Sequence, residues 1–394
     1  MHILIHDFAG HPFPAHLSRA LASRGHRVDH VHCGGVAAGR GDLQRRGHDS
    51  PTLRFADLSV GEFDRYHPLK RMIAETRYGR AVAAAIRAEQ PDFLVSANTP
   101  LVTQAIIWRA ARRTGSTRVY WLQDFLGRGT RSVLTARSAL LGATAGLALE
   151  RLETSLLRRS ELIVAITEDF VPELDRRGVR APHTVIENWA PTDEVGPRPK
   201  DNPLSRALGL HDRRVALYSG TLGLKHDPAH LVRVAEMLSE VDALLVVVTE
   251  GLGRAFLDKA KARSALSNLV LLDYLPYEDL PDLLGSADVC LALLEPDAGT
   301  FSVPSKILTY LASGKPVVAA VPAENLAARI LDRSTAGVII QPGDHDGFAR
   351  AVAALLDDQP RAKRMGEAAR HYAERSFDVE RIADQLTELL RRAR

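Results

Sequence analysis

Cysteine is nearly missing from this chain: Cys33 and Cys290 are its only two. Each sits within or at the end of an apolar run, they fall in different halves, and they offer no metal-ligand spacing. A disulfide framework and a cysteine-based zinc site are thereby excluded, and a reducing cytoplasm is the expected compartment. No apolar run reaches the roughly 18 residues that a membrane-crossing helix needs. The start, Met1-His-Ile-Leu-Ile-His6, passes straight into an apolar strand, so no secretory signal is expected. Motifs are lacking too. There is no G-x-S-x-G nucleophile elbow, and no completed G-x-G-x-x-G follows the first strand, which disfavours a serine hydrolase and a dehydrogenase. No metal-ligand set is legible; His26 and His30 flank a strand rather than share a helix face. Aromatics make up only 6% and are not interleaved with basic residues, so nucleic acid is not an expected partner.

What is present fits an ordinary soluble chain, with 394 residues, 45% apolar and 25% charged. That length favours two domains, each able to bury its own core. The net charge of +3 conceals an asymmetry: residues 1–195 carry +5 and the remainder −2. A mildly basic front half suits an anionic membrane surface or a phosphate-bearing substrate. Within it, residues 128–159 hold six arginines against Glu150 and Glu153 around the apolar Ala139–Leu149. That stretch suits peripheral contact with anionic lipid, or else a helix packed on its domain with solvated arginines.

Short apolar strands alternate with amphipathic helices throughout, the pattern of parallel sheets with crossover helices. Front-half strands are expected at Ile3–Ile5, Val28–His32, Phe93–Ser96, Val119–Leu122, Leu162–Ile166 and Thr184–Ile186. Back-half strands are expected at Val215–Tyr218, Leu244–Val248, Leu269–Leu272, Val289–Leu293, Val317–Val321 and Val338–Ile340. Pro191, Pro197, Pro199 and Pro203 predict an extended linker over 191–203. The expected division is therefore a first domain over 1–190, the linker, a second domain over 204–375, and a terminal helical segment over 376–394.

The chemistry concentrates at strand ends. After Val289–Leu294 comes Phe301-Ser-Val-Pro-Ser-Lys306, then an apolar helical turn and Ala312-Ser-Gly-Lys-Pro-Val317. A helix starting near Pro304 would set the N–H groups around Ser305 and the Lys306 cation at a positive helix end, which suits a phosphate. Val215-Ala-Leu-Tyr-Ser-Gly-Thr-Leu-Gly-Leu-Lys-His-Asp-Pro228 runs from a strand through a glycine turn to Lys225, before a helix near Asp227 or Pro228. Glycines allow close backbone approach, and lysine can hold a pyrophosphate as a point charge. A solvated turn lysine is the plain alternative. Thr249-Glu-Gly-Leu-Gly253 and Leu272-Asp-Tyr-Leu-Pro-Tyr277 also lie at strand carboxyl ends, where open α/β sheets bind ligands. In the front half, His6-Asp-Phe-Ala-Gly-His11, Ser96-Ala-Asn-Thr99 and Trp121-Leu-Gln-Asp124 end strands likewise. Asp124 could equally cap a helix.

Taken together, these segments resemble the family-four glycosyltransferases, most closely the branch making colanic acid, O-antigen and other surface polysaccharides. The resemblance spans nearly the whole chain and is strongest over 215–321. It implies the GT-B fold: α/β, two Rossmann-like domains facing a central cleft, with the C-terminal helix crossing back to the first domain. It also implies a cytoplasmic enzyme, active as such or at the inner face of the membrane. Its reaction would be sugar transfer from a nucleotide-diphosphate donor to a lipid-linked or oligosaccharide acceptor, retaining, with no cofactor and no metal. Donor contacts carry over to Gly10, Gly220, Lys225, Glu250, Gly251, Tyr274, Leu275, Ser302, Val303, Pro304, Ser305, Lys306 and Thr309. Acceptor contacts carry over to His11, Asn98, Thr99 and Asp124, with Asp124 and Lys225 as the catalytic pair. The chain departs from the family at Thr221, where an arginine is common, and at Thr309, where the ribose-binding glutamate is common. Glu187 also replaces the proline of the Ile-Pro-Asn-Trp signature. A GT-B nucleotide-sugar 2-epimerase and a non-catalytic GT-B binding subunit are the alternatives the same motifs leave open.

Overall fold

The computed structural model describes residues 1–35, 40–59, 61, 68–223, 226–297 and 302–393. It divides into two units, Met1–Glu187 with Val379–Arg394, and Asn188–Asp378.

The first unit is built on a seven-stranded parallel sheet in the order β3-β2-β1-β4-β5-β6-β7. Its strands are β1 His2–Asp7, β2 Arg27–His32, β3 Leu53–Asp57, β4 Phe93–Ala97, β5 Thr117–Leu122, β6 Leu162–Ala165 and β7 His183–Val185. Ile3, Leu4, Ile5, Phe93, Leu94, Val119, Leu122 and Ile163 are buried, as expected for parallel strands covered on both faces. The sequence pattern misses β3, and the reason is chemical. Leu-Arg-Phe-Ala-Asp is an edge strand whose Arg54 reaches Asp29 on β2 at 2.8 Å and Glu89 at 2.6 Å, so no continuous apolar run marks it.

The second unit carries a six-stranded parallel sheet ordered β10-β9-β8-β11-β12-β13. Its strands are β8 Arg214–Ser219, β9 Ala243–Val248, β10 Leu269–Leu272, β11 Val289–Leu293, β12 Val317–Ala320 and β13 Gly337–Ile340. Tyr218, Leu245, Val247, Leu291 and Val318 meet Phe348 and Val352 of the helix His345–Asp357 in one core. The stretch expected as a linker lies along this unit. Glu194 accepts from Tyr277 Oη at 2.7 Å, Arg370 donates to Thr192 O at 3.2 Å, and Lys200 pairs with Asp288.

The last helix, Val379–Arg392, buries Ile382, Ala383, Leu386 and Leu390, a stripe at helical spacing. It packs on the helix Pro12–Ser23 of the first unit, where Arg24 reaches Glu380 at 2.7 Å and Asp384 at 2.6 Å. The C-terminal segment thus returns to the front half of the chain. Among the described residues no helix is long and apolar enough to cross a membrane.

Candidate functional site

In the first unit, β1, β4 and β5 are neighbours, and their carboxyl ends bring together residues far apart in sequence. Asp7 closes β1 with its carboxylate fully buried; it accepts from His11 Nδ1 at 3.0 Å, from the His11 backbone N–H, and from Asn98 Nδ2 at 3.2 Å. Gly10 completes the turn, its N–H donating to Asp7 O at 3.2 Å. Asn98 adopts the left-handed conformation (φ 51°), a region that non-glycine residues usually occupy under constraint, and this aims its amide at Asp7. Thr99 hydrogen-bonds Ser96 Oγ at 3.0 Å and His6 Nδ1 at 3.1 Å. Burial pushes the His6 imidazole down to about 4, so it stays neutral within this network. Burial also acts to lower His11, but the Asp7 charge and hydrogen bond, with a further contribution from Asp124, raise it overall. Asp124 is therefore within electrostatic reach of His11.

Asp124 is not the cap of the following helix. That helix, Leu126–Arg137, has Phe125 at its N-cap position and no side-chain cap. The segment is instead anchored from beneath. Gly127 N–H donates to Glu153 Oε1 at 3.0 Å, Glu153 pairs with Arg177 at 2.8 Å, and the Arg177 guanidinium lies 4.5 Å from the Phe125 ring centroid. The sequence reading did not find this buried pair, since its members sit on separate helices.

In the second unit, β10, β9, β8 and β11 are adjacent, so the loops holding the donor-side residues share one sheet edge. Lys306 is central. Its Nζ donates to Tyr218 Oη at 2.5 Å, stands 3.8 Å from the Tyr218 ring centroid, and reaches Thr221 O at 3.5 Å. Tyr218 Oη in turn donates to Thr221 O at 2.8 Å, and Thr221 Oγ1 lies 3.2 Å from Tyr274 Oη. Gly220 sits at φ 130°, a conformation that favours glycine, and a Cβ there would stand 3.2 Å from Lys306 Cε and press on that side chain. No carboxylate among the described residues pairs with Lys306, and burial alone brings its ammonium down to about 7. A half-buried cation beside a glycine turn has the chemistry to accept an anion.

The helix after β11 starts later than Pro304. It runs Lys306–Ala312 with Ser305 at its N-cap; ahead of it Ile307 N–H reaches Pro304 O at 3.4 Å and Leu308 N–H reaches Ser305 O at 3.0 Å. These i to i+3 bonds make Pro304 and Ser305 a tight turn leading into the helix, so Pro304 does not occupy the first helical position. Ser302 is buried, its carbonyl accepting from Asn325 Nδ2 at 3.0 Å; Val303 and Thr309 are half-buried nearby in the chain. Glu250 and Gly251 are exposed at the end of β9, with Gly251 capping the helix Leu252–Ser264. Gly253 permits close packing there, since a Cβ would fall 2.4 Å from Leu222 O. Tyr274 and Leu275 follow β10 and are half-buried. Lys225 lies outside the described residues. The helix expected from Asp227 or Pro228 runs Ala229–Leu238.

One cluster escaped the sequence reading altogether. Asp227, His230 and His345 each offer a ligand-type atom within 4.8 Å of the others. Asp227 Oδ2 meets His345 Nε2 at 2.6 Å and His230 Nε2 accepts the Gly343 N–H at 3.2 Å, while His230 Nδ1 is buried without a hydrogen-bond partner. The flanking Asp344-His345-Asp346 likewise serves the fold, Asp344 capping Gly347 N–H at 2.8 Å and Asp346 holding Arg233 at 2.5 Å.

Comparison with known proteins places the chain in a family. Residues 11–189 match the glycosyl transferase 4-like domain, and residues 202–372 match the glycosyl transferases group 1. WcaI of Escherichia coli K12, whose name ties it to colanic acid biosynthesis, is 25% identical over 308 residues, covering 76% of this chain and 74% of that protein. WbjE of Pseudomonas aeruginosa, named as a glycosyltransferase, is 26% identical over 210 residues, about half of each chain (52% and 52%). Among solved structures, the sucrose-phosphate synthase of Thermosynechococcus elongatus superposes with a TM-score of 0.73 at 17% identity, covering 99% of this chain and 98% of that one. Anabaena HepE, solved with UDP and glucose, gives 0.72 at 18% identity, covering 98% of both. At these identities the structural matches establish the shared GT-B fold.

Proposed function

We propose that this chain, which belongs to the group 1 glycosyl transferases, moves a sugar from a nucleotide-diphosphate donor to a lipid-linked or oligosaccharide acceptor. The setting would be surface polysaccharide or glycoconjugate biosynthesis, as for the relative WcaI. The observation that carries the donor reading is Lys306. Its ammonium is desolvated, rests on Tyr218 beside Gly220, and has no carboxylate partner among the described residues. A diphosphate supplies the missing charge, and charge-assisted bonds to phosphate are the strong ones. Lys225, Ser302, Val303, Pro304 and Ser305 complete the phosphate side, Glu250 and Gly251 the sugar and ribose side, and Tyr274 and Leu275 the base. Thr309 stands where the family's ribose carboxylate is usual.

In the reaction the acceptor oxygen bonds to the anomeric carbon as the bond from that carbon to the diphosphate breaks, its electron pair leaving with the nucleoside diphosphate and the hydroxyl proton passing to Asp124 or to the departing phosphate oxygen. The lysines stabilise the developing phosphate charge in place of a metal. His11, Asn98 and Thr99 form the acceptor side, with Gly10 turned to the donor, and Asp124 accepts a hydrogen bond from the incoming hydroxyl or orients the sugar. Retention of anomeric configuration follows the family.

A further part of the reading concerns location. Leu140 and Leu141 are 72% and 45% exposed, and Arg128 and Arg131 stand partly exposed on the adjoining helix. Exposed leucines among arginines favour peripheral contact with the anionic inner face of a membrane. Co-sedimentation with anionic vesicles, lost in a Leu140→Ser, Leu141→Ser variant, tests it.

The enzymatic reading is tested by incubating the protein with a panel of UDP-, GDP- and dTDP-sugars and candidate acceptors. Free nucleoside diphosphate together with a glycosylated acceptor supports it. An isomerised nucleotide sugar with no diphosphate released would instead identify an epimerase.

A further inference from the structure

We infer that His345 is a positioning residue for the end of the loop after β8, acting through Asp227 without touching the donor. The inference rests on the reading of that loop as a diphosphate cradle.

Asp227 ends the loop and is held from three directions. Its Oδ1 accepts the Ala229 N–H at 2.9 Å, its Oδ2 meets His345 Nε2 at 2.6 Å, and its backbone N–H lies against the Glu295 carboxylate. Burial acts to raise the Asp227 carboxyl, yet the Ala229 N–H and His345 hold it below its ordinary value, so it stays an anion. The link therefore ties together loops that follow β8, β11 and β13, three different strands at one sheet edge. His345 is itself wedged. Its ring packs edge-on against His230 at 4.3 Å, and His230 is fixed by the Gly343 N–H at 3.2 Å and by Phe348, 5.1 Å away. A rigid support two residues beyond Lys225 in the sequence removes ordering cost from the binding step.

His345 is not a core residue, since 38% of its side chain is exposed. Its removal leaves no buried cavity and no buried unpaired charge, so a selective effect on the loop is expected rather than general unfolding.

The experiment compares wild type with His345→Ala, His345→Gln and Asp227→Asn. Hydrogen exchange over residues 220–228 reads the support directly. Calorimetry with UDP and with GDP, and donor KM against kcat, read its consequence. Faster loop exchange and about tenfold weaker diphosphate binding are expected in His345→Ala, appearing in KM rather than kcat, with the melting temperature nearly unchanged. His345→Gln, whose amide can donate to Asp227, restores most of both; Asp227→Asn loses the carboxylate that meets His345 but keeps the Ala229 cap and falls between. Unchanged loop exchange in His345→Ala overturns the inference. Faster exchange with unaltered affinity also overturns it, while a Lys306→Met variant that still loses binding leaves the donor reading standing. Wild type that binds neither nucleotide overturns the donor reading, and this inference with it.

Discussion

Asp7 and His11 are joined twice: the buried Asp7 carboxylate accepts both the backbone N–H of His11 and its ring Nδ1–H, the latter at 3.0 Å. One residue at the end of β1 thus fixes both the path of the following loop and the ring nitrogen through which its histidine is held.

This pair predicts a pH dependence. Burial works to raise Asp7, but His11 outweighs it and holds the carboxyl below the ordinary range; His11 is correspondingly raised from 6.5. A raised histidine contributes stability that is fully present below its unfolded pKa and is lost as pH rises through the folded one. Asp7 stays ionised throughout that window, because a depressed carboxyl loses its contribution only as pH falls toward its folded value. Denaturant unfolding should therefore show wild type exceeding His11→Gln by more at pH about 5 than at pH about 9. An equal gap at both would mean that the pair is not ionic.

Asp124→Asn should lower turnover by about 10²- to 10⁴-fold, the usual range for a group assisting proton transfer. Because Phe125, not Asp124, occupies the N-cap position, the melting temperature should barely change. Retained turnover, or outright unfolding, would make Asp124 structural.

The support under that segment has a different signature. Arg177→Ala leaves the fully buried Glu153 with only the Gly127 N–H, and breaking a buried pair from one side costs about 3–5 kcal/mol. A double Glu153→Leu, Arg177→Met variant should recover much of that loss. Urea melts of the two variants decide it.

On the proposed mechanism, in which lysines take the metal's part at the diphosphate, turnover should persist in excess EDTA. Loss of activity restored by magnesium or manganese would contradict this and redirect attention to Glu295 and Asp297.

Much of the fold could be read from the chain because both sheets are parallel and buried. Runs such as Ile3–Ile5 and Val289–Leu293 are continuous there and mark their own strands. Leu53–Asp57 could not be read this way, because an edge strand satisfied by Arg54, Asp29 and Glu89 carries charge where a central one carries valine. At the candidate sites, strand-end position brought Gly10, His11, Asn98 and Asp124 within view, and Gly220 and Lys306 too, but not the buried Asp7 that holds His11. What the sequence did not reveal was partnership. The Glu153–Arg177 support and the Asp227–His345 link join separate helices and loops, and no local spacing encodes them. The start of the helix at Lys306 was misplaced because proline fits a tight turn before a helix as well as it fits the first helical position.

The most direct measurement is calorimetry of UDP and GDP against wild type and Lys306→Met, repeated across pH and in buffers of differing ionisation enthalpy. In the free protein the Lys306 ammonium titrates near pH 7, since burial lowers it to about 7. A bound diphosphate favours the charged form, so binding above that pH should take up a proton and weaken as pH rises. Lys306→Met should lose about ten- to a hundredfold in affinity and should lose the proton uptake as well. Wild-type affinity in Lys306→Met, with no change in protons bound, would contradict the assignment of the diphosphate to this lysine.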